Sequence, residues 1–523
     1  MKVNTPVSRE NRDPTNPRDA THMFRAPEPA RQTGASAAKG GRRLSGRPCW
    51  NFAKGQCAFG DACAYVHDAV ASDSRGPARS GSDETTSTSG IDGAVDEPRV
   101  PLRYFTHKSR AQLGADPGRS LLARVLERDG VFEPTRDVSS CHLFWGCASP
   151  TGPLLANLPH DAFVNHFPGT TAITHKHTLA MMLRRHPEGD AVAPRTFVLP
   201  AEANEFAAAA ADDECDERGA GWIVKRAVGG EGRGTIIART AREALERTRA
   251  ADGGDRRGSQ PDATRWVAQR YVRDPLTFAP RAGADRRKID LRAYALLTRW
   301  DPNDGTTRAY VHRDGLVRFA AAPWDPRDSS SLAVHLTNNA AATARTHEGG
   351  AEGGAEGGAE GGADGRVMTW DPDAHFKRNW SFETLASELD AELGAGSYER
   401  VWEGVRRCAR TALGALPRRG DRGDRGGEES RSAGDDGRGP RRFELLGLDL
   451  LVDSRLRVWL LEVNSAPTLA AGTKLGGRIS RTHHRVKAGL LADAMNLLGV
   501  GLEDAGGAEA ELERAATGGF QLL

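Results

Sequence analysis

No run of about 18 apolar residues occurs in the 523-residue chain, so no segment has the character of a membrane-spanning helix. The opening residues, MKVNTPVSRENRDP, lack the apolar stretch of a secretory signal. Net charge is almost missing. With 72 Lys and Arg against 70 Asp and Glu, a formal +2, the chain as a whole has no field to draw nucleic acid or lipid. No Gly-X-Y period is present, which excludes a collagen-like rod despite 60 Gly and 28 Pro. Cysteine is scarce, seven in all and odd in number, which argues against a disulfide scaffold and for a reducing compartment. What is present is length for about two or three folded units, and a Gly and Pro excess that signals long unstructured stretches.

Organisation follows composition. Residues 1–46 are polar, Pro- and Gly-studded and basic, with nine Lys and Arg against four Asp and Glu, and bury too little apolar surface to order themselves. A Cys-rich island fills 47–69, and a Ser/Thr/Gly/Asp linker runs over 70–100. A globular body is expected over 101–500, interrupted near 347–366 by Ala-Glu-Gly-Gly repeats and over 418–441 by an Arg/Gly/Asp-rich run, both read as solvated loops. The Ala/Gly/Glu-rich tail at 501–523 is expected to fray. Strand patterns lie at 221–225, 235–238, 266–271, 288–298, 316–320, 445–452 and 458–464, and helical ones at 120–128, 177–185, 241–250 and 398–416. Mixed strands and helices with hairpins predict an α+β body rather than a regular βαβ winding.

In the island, Cys49, Cys57, Cys63 and His67 follow spacings of seven, five and three residues. Three thiols and one imidazole make one closed tetrahedral set for Zn²⁺, with no position left for chemistry, and a piece this small needs the metal to fold. The pattern resembles the CCCH zinc finger family, whose members commonly bind single-stranded RNA. That resemblance implies base stacking on Trp50, Phe52, Phe59 and Tyr65, with Arg42, Arg43 and Arg47 on phosphates. The blander alternative, aromatics that only pack the module while the finger touches protein, stays open. Cys141, Cys147, Cys215 and Cys408 have no partner spacing and read as buried or idle thiols.

Three constellations in the body carry chemistry. The first runs from Phe443 to Pro467, two apolar runs around a turn signal at Asp453-Ser454. Glu462 and Asn464 are two apart and share a strand face. A turn at 453–456 puts Asp449 opposite Leu460; a loop two residues longer puts it opposite Glu462. In either register Asp449, Glu462 and Asn464 form an oxygen cluster suited to Mg²⁺ carrying a nucleotide's phosphates. Polar groups aligned inside apolar strands are costly unless something binds them, which disfavours a plain surface hairpin. The second is Lys288-Ile-Asp290-Leu-Arg292, three charges on one strand face, fit to hold phosphate or carboxylate, although edge strands often look like this. The third is a strand ending in Lys225, a loop with Gly229, Gly230, Gly232 and Gly234, and a returning strand. Glycines let backbone N–H groups approach phosphate, yet neither the P-loop nor the Rossmann spacing is present, and a Gly-rich hairpin is the bland reading.

Read in order, these segments resemble the tubulin-tyrosine-ligase-like family of the ATP-grasp superfamily over roughly residues 101–500. The matching text includes Asn165-His-Phe-Pro-Gly169, Ile173-Thr-His-Lys176, Thr196-Phe-Val-Leu-Pro200, Trp222-Ile-Val-Lys225, Gln269-Arg-Tyr271, Lys288-Ile-Asp290-Leu-Arg292, Arg318-Phe319, His335-Leu-Thr337-Asn338 and the Asp449…Glu462-x-Asn464 hairpin. The resemblance implies an ATP-dependent ligase that joins an amino acid to a tubulin carboxylate through an acyl-phosphate. It implies that Asp449, Glu462 and Asn464 hold Mg²⁺, and that Lys176 and Lys225 meet ATP. Gln269, Arg270, Tyr271 and Val272 would lie along the adenine. Lys288, Asp290, His335, Thr337 and Asn338 would line the nucleotide region, and Arg292 and Arg318 would serve the transferring phosphoryl group or the acceptor carboxylate. No general base is legible.

Two departures stand out: Arg226 follows Lys225 where many relatives have Pro, and Arg270 stands where Lys is usual. Both leave the core chemistry in place. Tubulin or microtubules would be the acceptor, with a cytoplasmic and cytoskeletal location, a cilium or basal body among the candidates. The added residue is read as glutamate from Asn165-His-Phe-Pro-Gly169, with tyrosine and glycine open. An RNA-binding finger protein with a non-catalytic ligase-like scaffold is the reading from another class, and a non-tubulin acceptor is a third.

Overall fold

The computed structural model describes residues 101–107, 120–211, 220–229, 232, 234–253, 265–328, 331–337, 360–361, 367–368, 379–419, 439–470, 480–500 and 507–523. The segments 1–46 and 70–100, the finger at 47–69 with Cys49, Cys57, Cys63 and His67, most of both insertions, and Asn338 lie outside the described residues.

Strands β1 (Leu102–Thr106), β2 (Phe132–Pro134), β3 (Leu143–Trp145) and β4 (Phe163–Val164) lie parallel in the order β2-β1-β3-β4. They are short, and two of them, β3 and β4, are buried on both faces, as parallel strands usually are, with Leu143 in one core cluster and Phe144 in another. The second sheet is antiparallel, in the order β5-β8-β6-β7: β5 (Thr196–Leu199), β6 (Trp222–Arg226), β7 (Ile236–Ala238) and β8 (Trp266–Arg270). Phe197, Trp222, Val224 and Trp266 fill its own core with Phe206 and Ala244.

The third sheet is built on β10 (Arg287–Trp300), preceded by β9 (Thr277–Phe278) and followed by β11 (Thr307–His312) and β12 (Leu316–Phe319). β13 (Glu360–Gly361) and β14 (Val367–Met368) form a two-residue ladder of their own, so the first insertion is not loop throughout as expected; two backbone pairs close it. β15 (Trp380–Ser381) pairs with β12. β16 (Arg441–Arg442) adds to β4, extending the parallel sheet, and the chain then runs directly into β17 (Glu444–Val452), which lies against β10. β18 (Val458–Ser465) returns along β17, and β19 (Phe520–Leu522) pairs with β11.

Alternation along β10 explains its two faces. Ile289, Leu291, Ala293, Ala295 and Leu297 enter the core under helices Phe382–Leu393 and Ser397–Gly414. Tyr294 and Leu296 enter the core under helix Arg481–Leu498, so Lys288, Asp290 and Arg292 continue that second face. Glu444 fastens the parallel sheet to the central one. Its Oε1 lies 3.2 Å from His166 Nδ1, and its Oε2 accepts from the Phe167 N–H at 3.2 Å.

The tail expected to fray at 501–523 is ordered from Gly507 onward. Helix Ala508–Thr517 leads into β19, Phe520 is buried, Arg514 Nε donates to the Leu497 carbonyl at 2.9 Å, and Thr298 Oγ1 donates to Glu511 at 2.6 Å. Its Ala- and Glu-rich composition suits a helix once one face can dock. No helix among the described residues is long and apolar enough to cross a membrane.

Candidate active site

A row of charged side chains crosses β12, β10, β17 and β18 at right angles to the strands. Arg318 stands opposite Asp290, Arg292 opposite Asp449, and Asp449 opposite Glu462. Arg318 donates to both oxygens of Asp290, at 2.7 and 2.6 Å, and its Nη2 also lies 3.1 Å from Asp449 Oδ1. Arg292 makes a second two-point pair, Nε to Asp449 Oδ1 at 2.5 Å and Nη2 to Oδ2 at 3.0 Å. Such fork-on-carboxylate pairs fix orientation as well as charge. Burial alone would raise the Asp449 carboxyl, but the two guanidiniums outweigh it and hold it well below the usual carboxylate range. Thr337 Oγ1 donates to Asp290, which locks that carboxylate from the remaining side.

The Asn464 amide completes the row, with Nδ2 3.3 Å from Asp449 Oδ2, 3.4 Å from Glu462 Oε1 and 3.4 Å from the Gly447 carbonyl. Two carboxylates and an amide that can present its oxygen when rotated are a hard-oxygen set that fits Mg²⁺.

Across from this row lie the lysines. Lys176, at the start of helix Lys176–Arg185, places Nζ 3.2 Å from Glu462 Oε2 and donates to the Gly229 carbonyl at 2.8 Å. Gly229 has φ +106°, a conformation side chains disfavour, and it turns that carbonyl to the lysine. Lys225 of β6 donates to Gln269 Oε1 at 3.0 Å, and Gln269 Nε2 donates to Thr196 Oγ1 at 3.2 Å. Burial pushes the Lys225 ammonium down, partly offset by Glu462. These groups border a cleft of about 1120 Å³, also lined by Tyr271, Val272, Trp459, Leu460 and Leu461. Arg270 borders it through the strand, while its guanidinium sits over the Trp222 ring at 5.2 Å.

A buried chain of donors closes one end. Lys288 Nζ donates to Tyr271 OH at 3.0 Å, Tyr271 OH is 2.7 Å from His335 Nδ1, and His335 Nε2 meets the Asp328 carbonyl. The carbonyl can only accept, so Nε2 carries the proton and Nδ1 accepts from the tyrosine. Burial lowers Lys288 to about 7, with Asp290 opposing.

The structure therefore brings together Lys176, Lys225, Gln269, Tyr271, Lys288, Asp290, Arg292, Arg318, His335, Thr337, Asp449, Glu462 and Asn464. Thr196, which steadies Gln269, opens the Thr196–Pro200 match, and Gly447, which lets Arg292 pass, lies inside the Phe443–Pro467 run, but neither has a role legible from sequence. The role of Thr196 shows only when β5 pairs with β8 and sets it opposite Gln269.

A family model described as the tubulin-tyrosine ligase family matches residues 155–352 and 436–500, and a CCCH-type zinc finger model matches residues 47–68. Tubulin polyglutamylase TTLL7 of Xenopus tropicalis is 26% identical over 395 residues, covering 73% of this chain and 37% of the relative. The human protein of that name is 26% identical over 390 residues, with the same two shares. The probable tubulin polyglutamylase TTLL2 of Mus musculus is 26% identical over 385 residues, 72% of this chain and 58% of the relative. The chain thus spans only 37% of the length of the first two relatives.

Proposed function

Because the chain belongs to the tubulin-tyrosine ligase family, we propose that it is an ATP- and Mg²⁺-dependent ligase that adds glutamate to tubulin carboxylates. The observation that carries this reading is the row Asp290–Arg318–Asp449–Arg292 running into Glu462 and Asn464, with Lys176, which borders the cleft, ion-paired to Glu462. The polyglutamylase names of the relatives favour glutamate over glycine or tyrosine.

ATP enters with its adenine along Gln269 to Val272 and its phosphates toward Lys176, Lys225 and Lys288. The acceptor carboxylate attacks the γ-phosphorus, ADP leaves, and an acyl-phosphate forms. The amine of the incoming amino acid then attacks the acyl carbon. Phosphate leaves as the amide forms, and the nitrogen gives up its proton. When bound by Asp449, Glu462 and Asn464, Mg²⁺ supplies charge neutralisation at the phosphates. Arg292 and Arg318 are already fixed by their carboxylates, so they meet developing negative charge without reorganising. The finger, with its closed Cys49, Cys57, Cys63 and His67 set, holds Zn²⁺ structurally and takes no part in transfer. A cytoskeletal location follows from the acceptor.

The test is incubation with ATP, Mg²⁺, tubulin and labelled glutamate, glycine or tyrosine, with Glu462→Gln as control. Glutamate incorporation that the variant loses supports the reading. Equal incorporation by the variant, or none by the native chain, overturns it.

A further inference from the structure

Two buried polar groups near the charged row have chemistry that the protein leaves unmatched. Asn379 is 5% exposed, and neither its amide nitrogen nor its oxygen has a hydrogen-bond partner among the described residues. Buried amides are rarely left so, because each orphaned group keeps its full desolvation penalty. Its place in the fold is specific. The β12–β15 ladder pairs Leu316 with Ser381 and Val317 with Trp380, so the next step of the same register sets Asn379 beside Arg318. Trp380 turns into the core against Phe319 and Phe278, at 4.8 and 5.5 Å between ring centres. Alternation therefore puts Asn379 on the opposite face, the one that carries Arg318 and Asp290.

Lys487 is the second such group. It is 3% exposed, and its one hydrogen bond is to a neutral acceptor, the Ala470 carbonyl at 2.6 Å. It has no carboxylate partner among the described residues, and its positive neighbours are Arg292 and Arg318; burial and those charges lower it to about 7. An ammonium has three donors, so two remain for something else. Its helix, Arg481–Leu498, packs against β15, and Arg485 secures the same turn by bonding Glu383 at 2.8 Å and approaching Asp314 at 3.8 Å. Lys487, through its charged neighbours, and Asn379, through the strand register, thus both lie near Arg318.

We propose that Asn379 and Lys487 form the subsite for the incoming amino acid, with Lys487 taking a carboxylate and the Asn379 amide holding the amino end. An amide both donates and accepts, which suits an amine beside a carboxylate. A cation that adds to Arg292 and Arg318 suits a dicarboxylic amino acid better than a monocarboxylic one. Lys487 is then the residue that selects glutamate. The inference rests on the ligase reading above and names the residues that read its second substrate.

The experiment compares the full chain with Asn379→Leu and Lys487→Met, measuring KM for glutamate, glycine and ATP and the midpoint of thermal unfolding. Both variants should unfold at the native temperature or above it, because an unpartnered amide and an uncompensated cation are removed. Glutamate KM should rise tenfold or more in each, with ATP KM within twofold of native, and Lys487→Met should narrow the preference for glutamate over glycine. Native-like glutamate KM in both variants overturns the subsite and leaves the ligase reading intact. A lowered unfolding temperature with unchanged KM makes the two residues structural and overturns it too. If the native chain transfers no amino acid, the ligase reading falls, and the subsite with it.

Discussion

Asp449 and Glu462 stand directly opposite one another because β18 contains one residue more than its partner requires. Nearer the turn Leu450 pairs with Leu460, yet the next pair is Asp449 with Glu462, so Leu461 is a bulge. Were Leu461 paired in continuous register instead of bulged, Glu462 would meet Leu448 and point into the core, since a slip of one residue exchanges the faces of a strand. The direction of the Glu462 carboxylate is set by this bulge.

Gly447 sits under the same row. A Cβ there would lie 3.1 Å from Pro467 Cβ and 3.3 Å from Arg292 Cδ. The proline ring cannot yield, so Gly447→Ala should displace Arg292 from Asp449. Stability should fall by about 1–3 kcal/mol, and kcat/KM should fall by more than that loss accounts for. Unchanged kinetics would show that Arg292 is not held by this contact.

ATP affinity should depend on pH through Lys288. Burial lowers the free-state ammonium to about 7, and a phosphate beside it would favour the charged form. Affinity should be greatest below pH 7 and weaken as pH rises through that value, by at most about tenfold per unit for one proton. In Lys288→Met the dependence should lose one proton, leaving whatever Lys225 contributes. Titration calorimetry in two buffers of different ionisation heat reads that proton directly.

His312 should make stability pH-dependent. Burial by itself would lower it, but its bond to Asp493 at 2.9 Å and to the Asp314 carbonyl at 2.8 Å raise it above its ordinary value. A raised folded-state value means the stabilisation is complete below about pH 6.5 and is lost as pH rises through the raised value. Asp493→Asn should therefore cost most in acid, and its melting curve should converge on the native one as the pH becomes alkaline. A constant gap between the two curves would rule the linkage out.

Phe520 should matter although the family model ends at residue 500. It is 2% exposed and meets the His312 ring edge-on at 5.0 Å between centres. Phe520→Ala should lower unfolding free energy by about 3–5 kcal/mol, read from urea denaturation. A loss under about 1 kcal/mol would mean the tail is dispensable.

What could be read in the sequence was set by periodicity. Lys288, Asp290 and Arg292 alternate with apolar residues, so their common face was visible before any fold was known. Their partners were less so: Arg318 meets Asp290 only because β12 runs antiparallel to β10, and family resemblance rather than spacing pointed to it. The register of the β17–β18 hairpin stayed open between two choices because a bulge has no signature in an apolar run. Strands β1 to β4 escaped notice because runs of two to five residues are too short to show a period, and β3 and β4 are buried on both faces besides. Phe520 was hidden by the Ala, Gly and Glu around it.

The Glu444 clamp decides which groups are tied together. His166 and Phe167 are tied to Glu444, and β16 of the parallel sheet continues into β17 of the central one, with Phe443 N–H bonded to the Val164 carbonyl at 2.9 Å. Those two sheets therefore turn as one anvil that carries the Asp449 row. Lys225 and Gln269 ride on the other, four-stranded sheet, which reaches the anvil here through Lys288–Tyr271, while Lys176 spans the gap to Glu462. A shift of the four-stranded sheet would therefore move Lys225 and Gln269 relative to the Asp449 row, while the row itself, spread over the strands of one sheet, would keep its own register.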